Sequence, residues 1–201
     1  MKNYFFALCT LLFPFTLSAV KTPLWIRNGA ISPDGISIVF CYKGDLFTVP
    51  VEGGQADQIT SHPGYDTRPV WSPDGKKIAF ASNRAGGFDV YIVNKEGGTP
   101  KRLTTHSAHE YPDVFKDDTH ILYQSSILPD AMDGQFPSGS FPQVYEVSTE
   151  GGRSSLFSSL TMEEISINQN GDLLYQDKKG YEDTFRKHHQ SRLQETSGSR
   201  K

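Results

Sequence analysis

Val70-Trp71-Ser72-Pro73-Asp74-Gly75 repeats the earlier Ala30-Ile31-Ser32-Pro33-Asp34-Gly35, and this recurrence decides the fold. Other segments recur in the same order around it. Gly44-Asp45-Leu46-Phe47-Thr48-Val49 returns as Phe88-Asp89-Val90-Tyr91-Ile92-Val93. Val51-Glu52-Gly53-Gly54 returns as Lys95-Glu96-Gly97-Gly98 and again as Thr149-Glu150-Gly151-Gly152. Gln58-Ile59-Thr60-Ser61-His62 matches Arg102-Leu103-Thr104-Thr105-His106. Several matches in register at a spacing of ~40–45 residues define a structural repeat.

Each unit reads as four short strands. In the second they are expected at 68–72, 77–82, 88–94 and 99–104. Ile78-Ala79-Phe80-Ala81 and Val90-Tyr91-Ile92-Val93 are runs of apolar, mostly β-branched or aromatic residues bounded by turn residues. In Ser-Pro-Asp-Gly, Pro presets φ for the turn and Gly accepts the left-handed conformation. Glu-Gly-Gly serves the same purpose between the third and fourth strands. Four antiparallel strands repeated at this period predict an all-β fold, a β-propeller of four-stranded antiparallel blades.

The third unit is altered but legible. Val114-Phe115-Lys116-Asp117-Asp118-Thr119 replaces the Ser-Pro-Asp-Gly turn, and Gln143-Val144-Tyr145-Glu146-Val147 is the third strand. The extra length before that strand falls in a loop over 128–142, rich in Pro and Gly. It is either a contact loop or a tolerated surface insertion. A fourth unit opens with Glu164-Ile165-Ser166-Ile167-Asn168-Gln169-Asn170-Gly171 and Leu173-Leu174-Tyr175-Gln176. No third strand of the Asp-aliphatic-aromatic kind follows, so about three and a half blades of an incomplete propeller are expected.

The composition fits this reading. Of 201 residues 36% are hydrophobic and 12% aromatic, with 18 Gly, 12 Pro and a mean hydropathy of −0.46. Twenty basic against 23 acidic residues give a net charge of −3, which argues against nucleic acid as a partner. The apolar run from Tyr4 to Leu17 is shorter than the about 20 residues needed to span a bilayer. With Lys2 before it and Leu17-Ser18-Ala19 after it, residues 1–19 read as a secretory signal peptide, so the protein is expected in the periplasm with no transmembrane segment after cleavage. Cys9 leaves with that segment, and Cys41 remains as a partly buried strand thiol with no internal disulfide partner.

No catalytic, cofactor-binding or metal residue is assigned. The sequence holds no Gly-x-Ser-x-Gly elbow and no phosphate-cradling glycine loop. His106, His109 and Glu110 have a metal-motif spacing but lack helical context and a third ligand. The recurrence of His62 and His106 at equivalent positions points to side-chain hydrogen bonding in a blade-to-blade loop. His188-His189 offers two metal-ligand nitrogens, but an exposed pair in a loop is more often without a role. Trp71, Phe80 and Tyr91 are expected in an inter-blade core, and Asp45 and Asp89 as caps of the turn before the third strand.

The set Ser-Pro-Asp-Gly, Ile-Ala-Phe-Ala-Ser-Asn-Arg (78–84), Asp-Val-Tyr, Glu-Gly-Gly and Arg-Leu-Thr-Thr-His resembles the WD40-like repeats shared by TolB and the tricorn-type peptidases. Three tracts resemble the exported tricorn branch in particular: residues 104–112, Phe136-Pro137-Ser138-Gly139-Ser140, and 175–183 with Arg186-Lys187-His188-His189. The resemblance covers about 23–189. It implies an N-terminal propeller that filters peptides for a serine-peptidase domain carried elsewhere, with peptides or proteins as partners, no cofactor, and no catalytic residue in this chain. The alternative is a stand-alone TolB-like propeller that binds envelope proteins.

The pattern fixes a signal peptide at 1–19, a partial propeller at 20–189 and an out-of-pattern tail at 190–201. The resemblance implies a continuation Thr-Arg-Asp-Ile-Trp, and codons for residues 193–198 read two bases on can spell it. A frameshift between His189 and Leu193 is therefore expected, against the alternative of a genuine short protein with a disordered tail. Unpaired strand edges predict an aggregation-prone product. Resequencing the locus in all three frames is expected to yield in-pattern blades downstream; unrelated sequence in every frame would exclude the frameshift.

Overall fold

The computed structural model describes residues 25–126, 142–160, 162–168, 170–177 and 192–194. The predicted loop at 128–142, all but its last residue, and the signal segment lie outside them. All regular structure in the described residues is β. The first sheet is a meander of β1 (Arg27–Ile31), β2 (Ser37–Tyr42), β3 (Asp45–Pro50) and β4 (Asp57–Gln58). The second repeats it with β5 (Asp66–Trp71), β6 (Lys77–Ala85), β7 (Gly87–Asn94) and β8 (Gly97–Arg102). The third comprises β9 (Glu110–Asp117), β10 (His120–Ser125), β11 (Gln143–Ser148) and β12 (Ser155–Ser158). The fourth has β13 (Met162–Ile167), β14 (Leu173–Asp177) and β15 (Arg192–Gln194). The first strands of the four sheets contact one another in sequence order around a common axis. This is the predicted propeller arrangement, and among the described residues the sheets do not close into a ring.

The fourth sheet differs from expectation in one respect. Its third strand is present as β15, pairing Leu173 with Gln194, Leu174 with Leu193 and Tyr175 with Arg192. Backbone pairing to an open edge asks nothing of the side-chain pattern, so a segment without the repeat's Asp-aliphatic-aromatic signature fills the place.

The repeated turns form by the predicted chemistry. The Ser32 hydroxyl donates to Asp34 Oδ1 and accepts the Ser37 N–H at 2.9 Å, while Asp34 also accepts the Ile36 N–H at 3.0 Å. Ser72 and Asp74 make the same bonds in the second sheet, receiving the N–H groups of Lys77 and Lys76. In the fourth, the Asn168 carboxamide oxygen accepts the N–H groups of Asn170 and Asp172. Gly53-Gly54, Gly97-Gly98 and Gly151-Gly152 all have positive φ, a pair of conformations that favours glycine at both positions.

Apolar packing lies between the sheets. Val39, Cys41 and Leu46 meet Ile78, Phe80 and Tyr91 in the first seam, with Trp71 packed against them. Trp71 also donates its indole N–H to the Ala30 carbonyl at 3.1 Å. Ala79, Val90 and Ile92 meet Phe115, Ile121 and Tyr123 in the second seam. Leu122 and Val144 meet Met162, Ile165 and Tyr175 in the third. Among the described residues no apolar cluster joins the fourth sheet to the first. Cys41 is buried in the first seam, and burial pushes its thiol pKa up to about 11. Phe80→Ala, at a wholly buried site, is expected to cost about 3–5 kcal/mol in chemical denaturation; Leu156→Ser on the exposed outer strand is expected to change stability by less than about 0.5 kcal/mol.

Candidate functional site at the propeller axis

The first strand of each sheet is interrupted at the same place. Pairing of β1 to β2 shifts between Arg27 and Ala30, and that of β5 to β6 between Thr67 and Val70. On β9 Pro112 and Val114 are paired and Asp113 is left out; on β13 the shift lies between Glu163 and Ser166. These are β-bulges, which bend a strand and re-aim its side chains. Pro69 and Pro112 sit at two of them, where no ladder N–H is needed. Asn28, Arg68 and Glu164 adopt positive φ (49°, 49° and 50°), costly for residues with a Cβ and held by the surrounding sheet.

The four bulges line an open cavity of about 650 Å³, bordered by Asn28, Arg68, Asp113, Gln124, Glu163 and Glu164, with small and apolar residues between them. Its charges come from three strands: Arg68 on β5, Asp113 on β9, and Glu163 and Glu164 on β13. The Arg68 guanidinium lies 4.4 Å from the centre of the Tyr111 ring and has no ion-pair partner among the described residues. Asp113 is hydrogen-bonded to Gln124, yet its Oδ2 is buried without a partner. Burial raises the Asp113 pKa to about 7; the Gln124 bond and Arg68 act against that rise, and Glu164 adds to it.

The residues singled out in the sequence serve as fastenings within and between blades. His62 and His106, as expected, each accept a backbone N–H two residues on, from Gly64 at 2.8 Å and Ala108 at 3.0 Å. His109 accepts the Phe88 N–H at 3.1 Å and packs edge-on to the Phe88 ring. Glu110 is fully buried, bonded to Thr104 and Tyr123, with its pKa raised by burial. Among the described residues no group of three His, Cys, Asp or Glu side chains is placed to hold a metal ion. His188-His189 lies outside the described residues.

Asp45 and Asp89 depart from expectation. The Asp45 carboxylate receives Gln58 Nε2 and the His62 N–H, both at 3.1 Å, and Asp89 receives Arg102 at 2.9 Å. They tie the third strand to the fourth and to its exit. The hairpin before Asp45 needs no cap: Lys43 and Gly44, with φ of 53° and 93°, form a two-residue turn closed by Tyr42–Asp45 pairing. In the Ser82-Asn83-Arg84 tract, Arg84 donates to both oxygens of buried Asp66 at 2.8 Å, and Asn83 accepts the Tyr65 N–H.

The bulge residues were missed in the sequence. A signal for them existed: each unit carries a polar residue within an otherwise strand-like stretch, a few positions ahead of its first hairpin (Asn28, Arg68, Asp113, Glu164).

Four sheets arranged about an axis, with polar bulge residues gathered at that axis, define a β-propeller with a cavity at that axis. The chain belongs to the family described as the tricorn protease N-terminal beta propeller domain, which it matches over residues 23–195. It is 36% identical over 72 residues to tricorn protease homolog 1 of Streptomyces coelicolor, a match spanning 36% of this chain and 7% of that protein. It is 33% identical over 95 residues to the Tol-Pal system protein TolB of Francisella tularensis subsp. mediasiatica, spanning 44% of this chain and 20% of that one. The fold is like that of a TolB structure from Agrobacterium tumefaciens, with a TM-score of 0.55 at 24% identity, covering 66% of this chain and 49% of the other. The chain thus spans a small part of the length of these curated relatives.

Asp113 gives the cavity a pH signature. Its pKa lies above the unfolded value of about 4, so the folded state holds the proton more tightly and stability falls as pH rises from about 4 to about 7. Asp113→Asn is expected to flatten that part of the profile and to leave the protein more stable than the parent at pH 8, measured by denaturant midpoints.

Proposed function

We propose that this chain is part of the substrate-access propeller of an exported, tricorn-like serine peptidase, admitting peptides along its axis towards catalytic groups carried on other domains. Membership of the tricorn N-terminal propeller family supports this reading. The observation that carries it is the axial cavity, whose wall is built from bulge residues and carries the unpartnered Oδ2 of Asp113. Peptide is the ligand class such a wall suits, since it offers donors, acceptors and charges to an exposed Arg–carboxylate surface. The N-terminal pattern at 1–19 supports export to the periplasm; mass spectrometry of the mature protein is expected to find its N-terminus at Val20.

A second reading, a TolB-like module docking other envelope proteins, is favoured by the 33% identity to a Tol-Pal system protein. The two readings use different surfaces. Fluorescence anisotropy with a pool of unstructured ten-residue peptides is expected to show binding that Arg68→Glu weakens about tenfold and Leu156→Ser leaves unchanged. Sensitivity to the rim variant alone, or no peptide binding, would favour the docking module.

A further inference from the structure

Resting on the peptide-access reading, we infer that the axial cavity binds short peptides by both free ends at once, the carboxylate at Arg68 and the ammonium between Asp113 and Glu164. The cavity carries both signs of charge without neutralising them. Arg68 lies over the Tyr111 ring, 4.4 Å from its centre, and is within electrostatic range of Asp113, yet the two form no ion pair. The guanidinium thus sits beside an aromatic ring, and no ion pair among the described residues occupies its N–H edge, which suits a bidentate carboxylate. On the neighbouring strands β9 and β13, Asp113 has a buried oxygen without a partner and Glu164 stands exposed on a strained bulge.

A purely anionic ligand would meet Glu164 and Asp113, and a purely cationic one would meet Arg68. A zwitterion satisfies both poles. The size agrees: about 650 Å³ is within the range of pockets that enclose small ligands, and a peptide of two to four residues is of that order. A long chain threading through presents no termini at the wall, so the inference separates short peptides from long ones.

Asp113 must be ionised to take the ammonium. The other charged groups at the wall are Arg68 from β5 and Glu163 and Glu164 from β13, while β1 supplies only neutral Asn28. With the Asp113 pKa at about 7, affinity for a free-ended peptide is expected to rise between pH 6 and 7.5, where a peptide amine stays largely protonated.

The test uses calorimetric titration of the full chain with tri-alanine in four forms: free, N-acetylated, C-amidated and doubly blocked. The free form is expected to bind at least about tenfold tighter than either singly blocked form. Asp113→Asn should abolish discrimination against the acetylated form and the rise with pH, and Arg68→Gln discrimination against the amide. Glu164→Gln, at an exposed position, provides a second reading of the ammonium pole if Asp113→Asn fails to fold, as judged by circular dichroism. Equal binding of all four forms would overturn the inference and leave the peptide-access reading standing. So would binding of ten-residue peptides without any of tri-alanine. Failure of every peptide to bind would remove both.

Discussion

A sheet in this protein is apolar on both faces and cannot be stable without a neighbour. In β6 alternate residues go to opposite seams: Ile78 and Phe80 pack towards the first sheet, and Ala79 packs towards the third. The continuous apolar run 78–81 is what a strand buried on both faces requires. Everything else follows from stacking such sheets side by side. Their first strands are drawn together at an axis, and the links between sheets become the places where polar groups must be satisfied.

Those links form a second layer of organisation, made of hydrogen bonds. Thr60 and Thr104 accept the N–H groups of Leu46 and Val90, both at 2.9 Å, one turn of the repeat apart. Asp66 and Glu110 open the inner strands of the second and third sheets, and both are fully buried. Their solutions differ. Asp66 is neutralised by Arg84, whereas Glu110 relies on Thr104 and Tyr123 and keeps one oxygen unpartnered. The repeat conserves the place of the buried acid within these two units while allowing its partner to change.

The fold was legible because its signals are local and repeated. Pro73-Asp74-Gly75 and Gly97-Gly98 dictate backbone conformations by themselves, so the four strands of the second unit could be placed to within a few residues. The third strand of the fourth sheet was not legible, since an open strand edge accepts a segment by backbone pairing alone. The axial site was harder still. A bulge leaves the strand pattern intact on either side, and Arg68 next to Pro69 gives no local reason to turn inwards. Its meaning appears only when four such positions converge from parts of the chain far apart in sequence. Asp45 was misjudged for a related reason, because its partners Gln58 and His62 lie across the sheet.

The bulge also divides the labour among residues. Asn28, Arg68, Asp113 and Glu164 line the axis, and none of them belongs to an apolar seam. Substitution there alters what the axis presents without opening a void between sheets. The propeller therefore carries a short text at its centre, one letter per blade, that can be rewritten while the scaffold holding it is left alone.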